Sequence, residues 1–495
     1  MSDAKTSSAL VPTQAEFRWV LIGLMLALTL AALDQNIVAT ALPRITGDLG
    51  GLSHLSWVVT SFIVTSTISA PLYGKLSDLY GRKPAFVGSI AIFLVGSVLC
   101  GLAESMVGLI AFRAVQGLGA GGLIVLAQTV IGDLVSPRER GRYQGMFAAV
   151  FAACSVAGPL LGGFITQFAS WRWIFYVNLP VGGAALACIL LALRPRPPSI
   201  APRLDWVGAA LLTAGTGTLL LVLSWGGNAY AWASPQILGL TVVAIAAFVG
   251  LAFAERAARQ PILPPDLFGN GVFVLGALTI ALATMALFAA VVFLPLMFQL
   301  LMGANPAMAG LMIAPMMGGV IIASYTGGRL VSRTGRYKLF PVLGLAAATL
   351  SYATLAWAVR NDLNPPLIEA VLVVMGLGIG LVMPNLTTAI QNAVARSELG
   401  AATASAAFFR SLGGAVGAAL GGAVLAAHLQ GVEVGGSSLS GLSAIASLPD
   451  VQRSLVLGAY RAGLSAAFIT GTIIAGLGFL TVLFLPERPL RGAGG

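Results

Sequence analysis

The chain is poor in what a soluble enzyme needs. Only 9% of its 495 residues are charged, whereas water-soluble domains carry about 25%, so a globular water-soluble class is excluded. It has two histidines, His54 and His428, and three cysteines, Cys100, Cys154 and Cys188. The cysteines sit inside apolar runs and the histidines at their edges, which leaves no ligand set for a zinc or haem centre and no disulfide framework. No nucleophile–base constellation is visible, so the chain is not expected to be an enzyme or to hold a cofactor or metal. A cleavable signal peptide is also missing, because the first apolar run is full length with no small-residue cleavage site behind it.

What the chain has instead is hydrophobic length: 58% of its residues are hydrophobic, with a mean hydropathy of +0.93. Apolar runs lie near 19–42, 54–73, 85–103, 106–131, 143–168, 173–193 and 205–224, then near 236–254, 271–301, 307–328, 338–359, 366–390, 401–427 and 462–485. A helix of about 20 residues crosses the hydrocarbon at 1.5 Å per residue, so an all-α polytopic membrane protein of fourteen spans is expected. The net charge of +10 does not point to nucleic acid, because the basic residues gather in alternate short loops such as Lys75–Arg82–Lys83, Arg138–Arg140–Arg142 and Arg329–Arg333–Arg336–Lys338. By the rule that positive loops stay inside, that side and both termini face the cytoplasm of a bacterial-type inner membrane.

An internal repeat organises the spans. Gly74-Lys75-Leu76-Ser77-Asp78-Leu79-Tyr80-Gly81-Arg82 recurs as Gly328-Arg329-Leu330-Val331-Ser332-Arg333-Thr334-Gly335-Arg336. The run at Gly117 matches that at Gly376, Glu139 matches Glu398, and Gly158 matches Gly417, all at one offset of 259 residues. Two six-helix halves, 17–193 and 270–485, are therefore expected, with two inserted helices over 205–254. Residues 194–204 and 255–269 read as linkers, 1–16 and 486–495 as tails, and the Gly/Ser-rich stretch 428–461 as a long outer loop with a short surface helix at 442–449. Asp34, Asp78, Arg113 and Pro159 fall opposite Ala286, Ser332, Leu372 and Ala418, so the special chemistry belongs to the first half.

A carboxylate inside a span is costly when ionised and by default marks a pathway. Asp34 lies eight residues, about 12 Å, from the outer end of the first apolar run, and Arg113 lies seven residues, about 10 Å, into the fourth. Equal depth lets them meet, and a carboxylate held between an arginine and desolvation is a tunable proton site. At the other side, Gly74, Asp78, Gly81 and Arg82 form a turn with Asp133 in reach, a cluster suited to latching two halves in one state. Gly158, Pro159, Gly162 and Gly163 combine a helix breaker with small residues that permit tight helix contact. Gln35, Gln128, Asn178, Asn385 and Arg410 are polar residues set within spans and are expected to line a cavity. Glu369 at the start of its run is expected at the interface, and the six methionines around the tenth run (Met297, Met302, Met308, Met312, Met316, Met317) read as adaptable apolar filler or pocket.

Taken in order, LDQNIVATALP, GKLSDLYGRKP, RAVQGLGAGG, AGPLLGG and WRWIFYVNLPVG resemble the signature motifs of the major facilitator superfamily, and most of all its 14-spanner drug:proton antiporter branch of the EmrB/QacA type. The resemblance implies Asp34 as the proton-linked acid, Arg113 as its partner, Asp78 as the gating aspartate and the Gly-Pro motif as a mark of antiport. Arg410 resembles an arginine common in that branch. One departure stands out: VATALP, with Ala39 and Thr40, replaces the VNVALP usual there. The function expected is proton-driven export of small amphipathic compounds, cationic or neutral, by alternating access. The alternative is a dedicated exporter of a lipid, siderophore or other metabolite, and a non-transporting receptor or scaffold ranks below both. The partners expected are the substrates, protons and lipid, with a periplasmic adaptor and outer-membrane channel left open and nucleic acid excluded.

Overall fold

The computed structural model describes residues 13–50, 54–195, 205–227, 229–361, 364–429 and 449–490. Most of the Arg-Pro linker, the body of the outer loop with its expected surface helix, and the ends of both tails lie outside the described residues.

Among the described residues fourteen long helices carry the fold. The first six are α1 Gln14–Leu49, α2 Leu55–Tyr80, α3 Arg82–Gly101, α4 Met106–Leu134, α5 Pro137–Phe168 and α6 Trp173–Ala192. The inserted pair is α7 Trp206–Trp225 and α8 Pro235–Ala257. The last six are α9 Gly271–Leu301, α10 Ala314–Thr334, α11 Leu339–Arg360, α12 Pro365–Ala393, α13 Leu399–Leu429 and α14 Asp450–Leu483. Among the described residues thirteen helices are long and apolar enough to cross a membrane; the 26-residue α2 is not one of them, but it packs along α4 within the bundle. The fold is thus the all-α polytopic bundle expected, in which the spans keep their backbone hydrogen bonding largely within their own helices, as lipid demands.

Several helices outrun their apolar runs. α1 starts at a capping box, in which the Thr13 side chain accepts from Glu16 N and Glu16 reaches back to Thr13 N, and it continues through Pro43 to Leu49. The outer loop expected over 428–461 is shortened, because α14 begins at Asp450 behind Pro449. Hydropathy missed that start because DVQRSLVLGAYR is polar, and polar residues extend a helix beyond lipid as readily as they end it.

Packing divides as the repeat does. One core joins α1, α3, α4 and α6 around Leu24, Phe86, Phe93, Leu123 and Ile189, and another joins α9, α11, α12 and α14 around Phe298, Tyr352, Met375 and Phe468. Met297 and Met316 are fully buried in the second core. Beyond α10, the buried Tyr337 hydroxyl donates to Pro486 O and accepts from Arg488 N, both at 2.8 Å, pinning the C-terminal segment. Burial raises the pKa of that phenol.

The halves meet at two crossings on the basic side. In one, Gly74 of α2 lies on Gly400 of α13, and a Cβ added at Gly74 would come 2.6 Å from Gly400 O. In the other, Gly328 of α10 lies against the carbonyl of Gly141 of α5. The repeat offsets map one crossing onto the other. Nearby, Arg138 donates to the Ser332 and Arg333 carbonyls at 2.9 Å, and Arg140 donates to Gln391 O at 2.9 Å. The basic side is closed.

A bulky residue at such a crossing must force the helices apart, at about 1–3 kcal/mol. Gly328→Leu is expected to open the α5–α10 crossing and speed alkylation of a cysteine placed at the buried Gln144 by about tenfold, the equivalent of 1.4 kcal/mol. An unchanged alkylation rate would refute this role for the crossing.

Candidate functional site

The buried acid is built into the first half by five of its helices. Asp34 of α1 is fully buried, and its Oδ2 accepts from Arg113 Nη1 of α4 at 2.6 Å. Its Oδ1 accepts from Gln116 Nε2 of α4 and from Asn178 Nδ2 of α6, both at 2.8 Å. Ser97 of α3 accepts from both amides, at 3.2 and 3.0 Å, and donates to Phe175 O. α2 contributes Val58 O, which accepts from Arg113 Nε at 3.2 Å, and the Phe62 ring, whose centroid lies 4.1 Å from the Arg113 guanidinium carbon. The match in depth read from the sequence brings Asp34 and Arg113 together, although α1 runs fifteen residues past Asp34, about 22 Å of helix.

This arrangement gives Arg113 more than one partner. Removing one partner of a buried ion pair normally strands the other charge. Here Arg113 has fallbacks, since Nη1 also donates to Gln116 Oε1 at 2.8 Å while Val58 O and the Phe62 ring remain.

The second cluster bridges the halves. Asp78 accepts from the backbone amides of Gly400 at 3.1 Å and Ala401 at 2.8 Å, at the N-terminus of the 31-residue helix α13. It thereby caps a helix of the other half and faces the positive end of that helix dipole. Arg82 pairs with Asp78, donates to Ser77 Oγ at 2.7 Å and reaches Asp133 Oδ2 at 2.8 Å. Gly81 makes the turn between α2 and α3 at φ +95°, where a side chain is strained. In the repeat Ser332 replaces Asp78, and at that crossing Arg138 reaches the carbonyl end of α10 in place of an acid reaching an amide end.

The glycine-proline motif divides. Gly158 and Gly162 of α5 seat on α1, where added Cβ atoms would meet Asn36 Cβ and Ile37 O, each at 2.6 Å. That face is about 120° around α1 from Asp34. Pro159 is exposed, Gly163 has open space beside it, and α5 runs unbroken through both.

Of the expected cavity residues, Asn178 is buried inside the first half, where its Nδ2 donates to Asp34 Oδ1 and Ser97 Oγ while its own Oδ1 is unpaired. A single polar residue in an apolar run does not reveal which face of its helix it occupies, and here the ion pair claims it. Gln128 is buried, and its backbone carbonyl accepts from Gln391 Nε2 at 3.1 Å across the halves. Asn385 turns its amide onto Leu381 O of its own helix at 2.6 Å, with its Oδ1 unpaired. Gln35 and Arg410 are half-buried. Arg410 stands one turn beyond Ala407, which packs with Ala404, Ala70 and Val125 as an apolar floor between the halves. Glu369 is exposed at the start of α12, as expected. The sequence reading missed Gln116, although its place three residues after Arg113 puts both on one face, and it missed Asp48, which accepts from Trp171 Nε1 at 2.8 Å.

Above the floor, on the side away from the basic loops, a cavity of about 490 Å³ opens between α2 and α13. Thr60, Ile63 and Val64 face Ala415, Ala418 and Gly422 across it, and Leu220, Leu223 and Ser224 of α7 close its flank.

A bundle of this helix count, closed on one side and open beyond, with a buried acid in one half, is a transporter architecture. The sequence profile of the Major Facilitator Superfamily matches residues 24–418. The chain belongs to the major facilitator superfamily. It is 40% identical over 417 residues to the multidrug transporter protein MdtP of Bacillus subtilis, covering 84% of this chain and 76% of that protein. It is 34% identical over 411 residues to multidrug resistance protein 3 of the same organism, covering 83% and 80%. Among solved structures it resembles the human organic anion transporter MFSD10, with TM-score 0.66 at 15% identity over 95% of this chain and 100% of that one. The proton:xylose symporter XylE gives TM-score 0.62 at 15% identity over 96% and 98%. The chain is a multi-pass membrane transporter and not an enzyme.

Replacing Asp78 by Asn removes the charge that caps α13, a loss of about 1–2 kcal/mol. The closed state of the basic side is then expected to lose about five- to thirtyfold in population. Distances between spin labels on the basic-side ends of the two halves would read the change, and identical distributions in parent and variant would rule it out.

Proposed function

We propose that this chain is a proton-coupled multidrug exporter of small amphipathic compounds, cationic or neutral, working by alternating access with the basic side facing the cytoplasm. The observation that carries the reading is the buried Asp34–Arg113 pair, with its amide ligands and the fallback partners of Arg113. The names of the 34–40% identical relatives, multidrug transporter and multidrug resistance protein, support the substrate class.

In the closed-inside form, a proton arriving from the open side neutralises Asp34 and releases Arg113 to Gln116, Val58 O and Phe62. This loosens the tie between α1 and α4 and lowers affinity for a cationic substrate, which leaves outward. Opening of the Asp78 latch and the two glycine crossings then exposes the site to the cytoplasm, where Asp34 gives up its proton, recovers Arg113 and readmits substrate. Proton and substrate disfavour each other reciprocally. With one buried acid in the pathway, one proton moves per cycle, and the proton gradient is the only energy source, without a cofactor.

In proteoliposomes with an imposed pH gradient, Asp34→Asn is expected to lose uphill export by more than about tenfold while keeping downhill exchange. Parent-like uphill export by the variant would sink the reading.

A further inference from the structure

The inserted helices carry an acid pair that the transport scheme above does not use. Asp205 is the N-cap of α7, with Oδ1 accepting from Gly208 N at 2.9 Å. Glu255, in the last turn of α8, is only 4% exposed, and its Oε2 accepts from Leu263 N at 3.3 Å. The other oxygen of each carboxyl, Asp205 Oδ2 and Glu255 Oε1, is buried without a hydrogen-bond partner. Both converge on one spot: a Cβ added at Gly208 would touch Asp205 Oδ2 and lie 3.1 Å from Glu255 Oε1. Glycine at 208 is what allows the two acids to approach.

Two facing, unpaired carboxylate oxygens out of water repel, and such pairs relieve the repulsion by keeping one proton between them. Among the described residues, the positive charge of Lys75 on α2 acts on Glu255 and also on Asp78 and Glu398. Lys75 belongs to the same turn as the latch. On the other flank, Glu255 holds the backbone at Leu263, from which the chain enters the turn Pro265–Gly269, where Phe268 packs edge-on against Phe273 of α9 and Phe409 of α13. The pair therefore joins the inserted helices, the gate turn of the first half and the entrance to the second half.

We propose that Asp205 and Glu255 form a second proton-binding site, on the inserted helices at the cytoplasmic face, holding one shared proton whose loss strengthens the pull of the pair on Lys75 of the gate turn. Cytoplasmic acidity then leaves Lys75 to the latch, and alkalinity pulls it toward the insert and eases opening. The site itself stands on the geometry of the pair, and only its effect on the cycle rests on the exporter reading.

Glu255→Gln is the chosen variant. The amide keeps an acceptor for Leu263 N and supplies a donor to Asp205 Oδ2, imitating the protonated pair. Infrared difference spectra of the full-length parent in liposomes, recorded across a pH titration, should show a protonated-carboxyl C=O band that is lost in both Glu255→Gln and Asp205→Asn but kept in Asp34→Asn. In transport assays at varied cytoplasmic pH, the parent rate should change about tenfold across the titration and the Glu255→Gln rate less than about twofold. A band that survives both insert variants, or one abolished at fixed pH by adding sodium or magnesium ions, overturns the proposal. If Asp34→Asn still exports uphill while the band behaves as described, the exporter scheme fails and this proton site stands.

Discussion

A charge held inside a bilayer must be neutralised within reach of its own side chain, and that constraint shapes the first half of this molecule. Asp34 and Arg113, both buried, supply each other's countercharge. The pair then needs Gln116, Asn178 and Ser97 to satisfy the remaining oxygens and amides, which fixes how α1, α3, α4 and α6 rotate against one another. α5 is exempt from this network. It meets α1 through Gly158 and Gly162 on another face, so it can serve the contact between halves at its other end, through Gly141 and Gly145.

The two crossings on the basic side show how a duplicated fold becomes directional. Their glycine contacts are related by the repeat, but the electrostatics are not. At α2–α13 an acid meets the amide end of a helix, and at α5–α10 an arginine meets the carbonyl end of one. Both complement a helix dipole, with opposite signs. Neutralising Asp78 weakens only the first crossing, so the seam can be released from one edge.

Much of this was legible in the sequence, and the residues explain why. Asp34 and Arg113 were findable because charges are rare in apolar runs and depth can be counted at 1.5 Å per residue. The halves were findable because glycines at close crossings recur in register. The partners of Asp78 were not, since they are backbone amides, which every residue carries and no residue type announces. Asn178 was misplaced because an uncharged amide costs too little in a span to declare its partner. Glu255 escaped notice because it precedes Arg256 and Arg259 and reads as the first residue of a solvated linker, whereas the fold turns it inward against Leu263.

The flank of α7 on the 490 Å³ cavity has a consequence for lipid. Between the halves of such a bundle there are two seams facing the hydrocarbon, one beside α2 and α13 and the other beside α5 and α10. Leu220, Leu223 and Ser224 seal the first, while Leu160, Leu161 and Phe164 leave the neighbourhood of the second greasy and uncovered. The two seams of the duplicated fold therefore differ in what covers them, because α7 stands against the first.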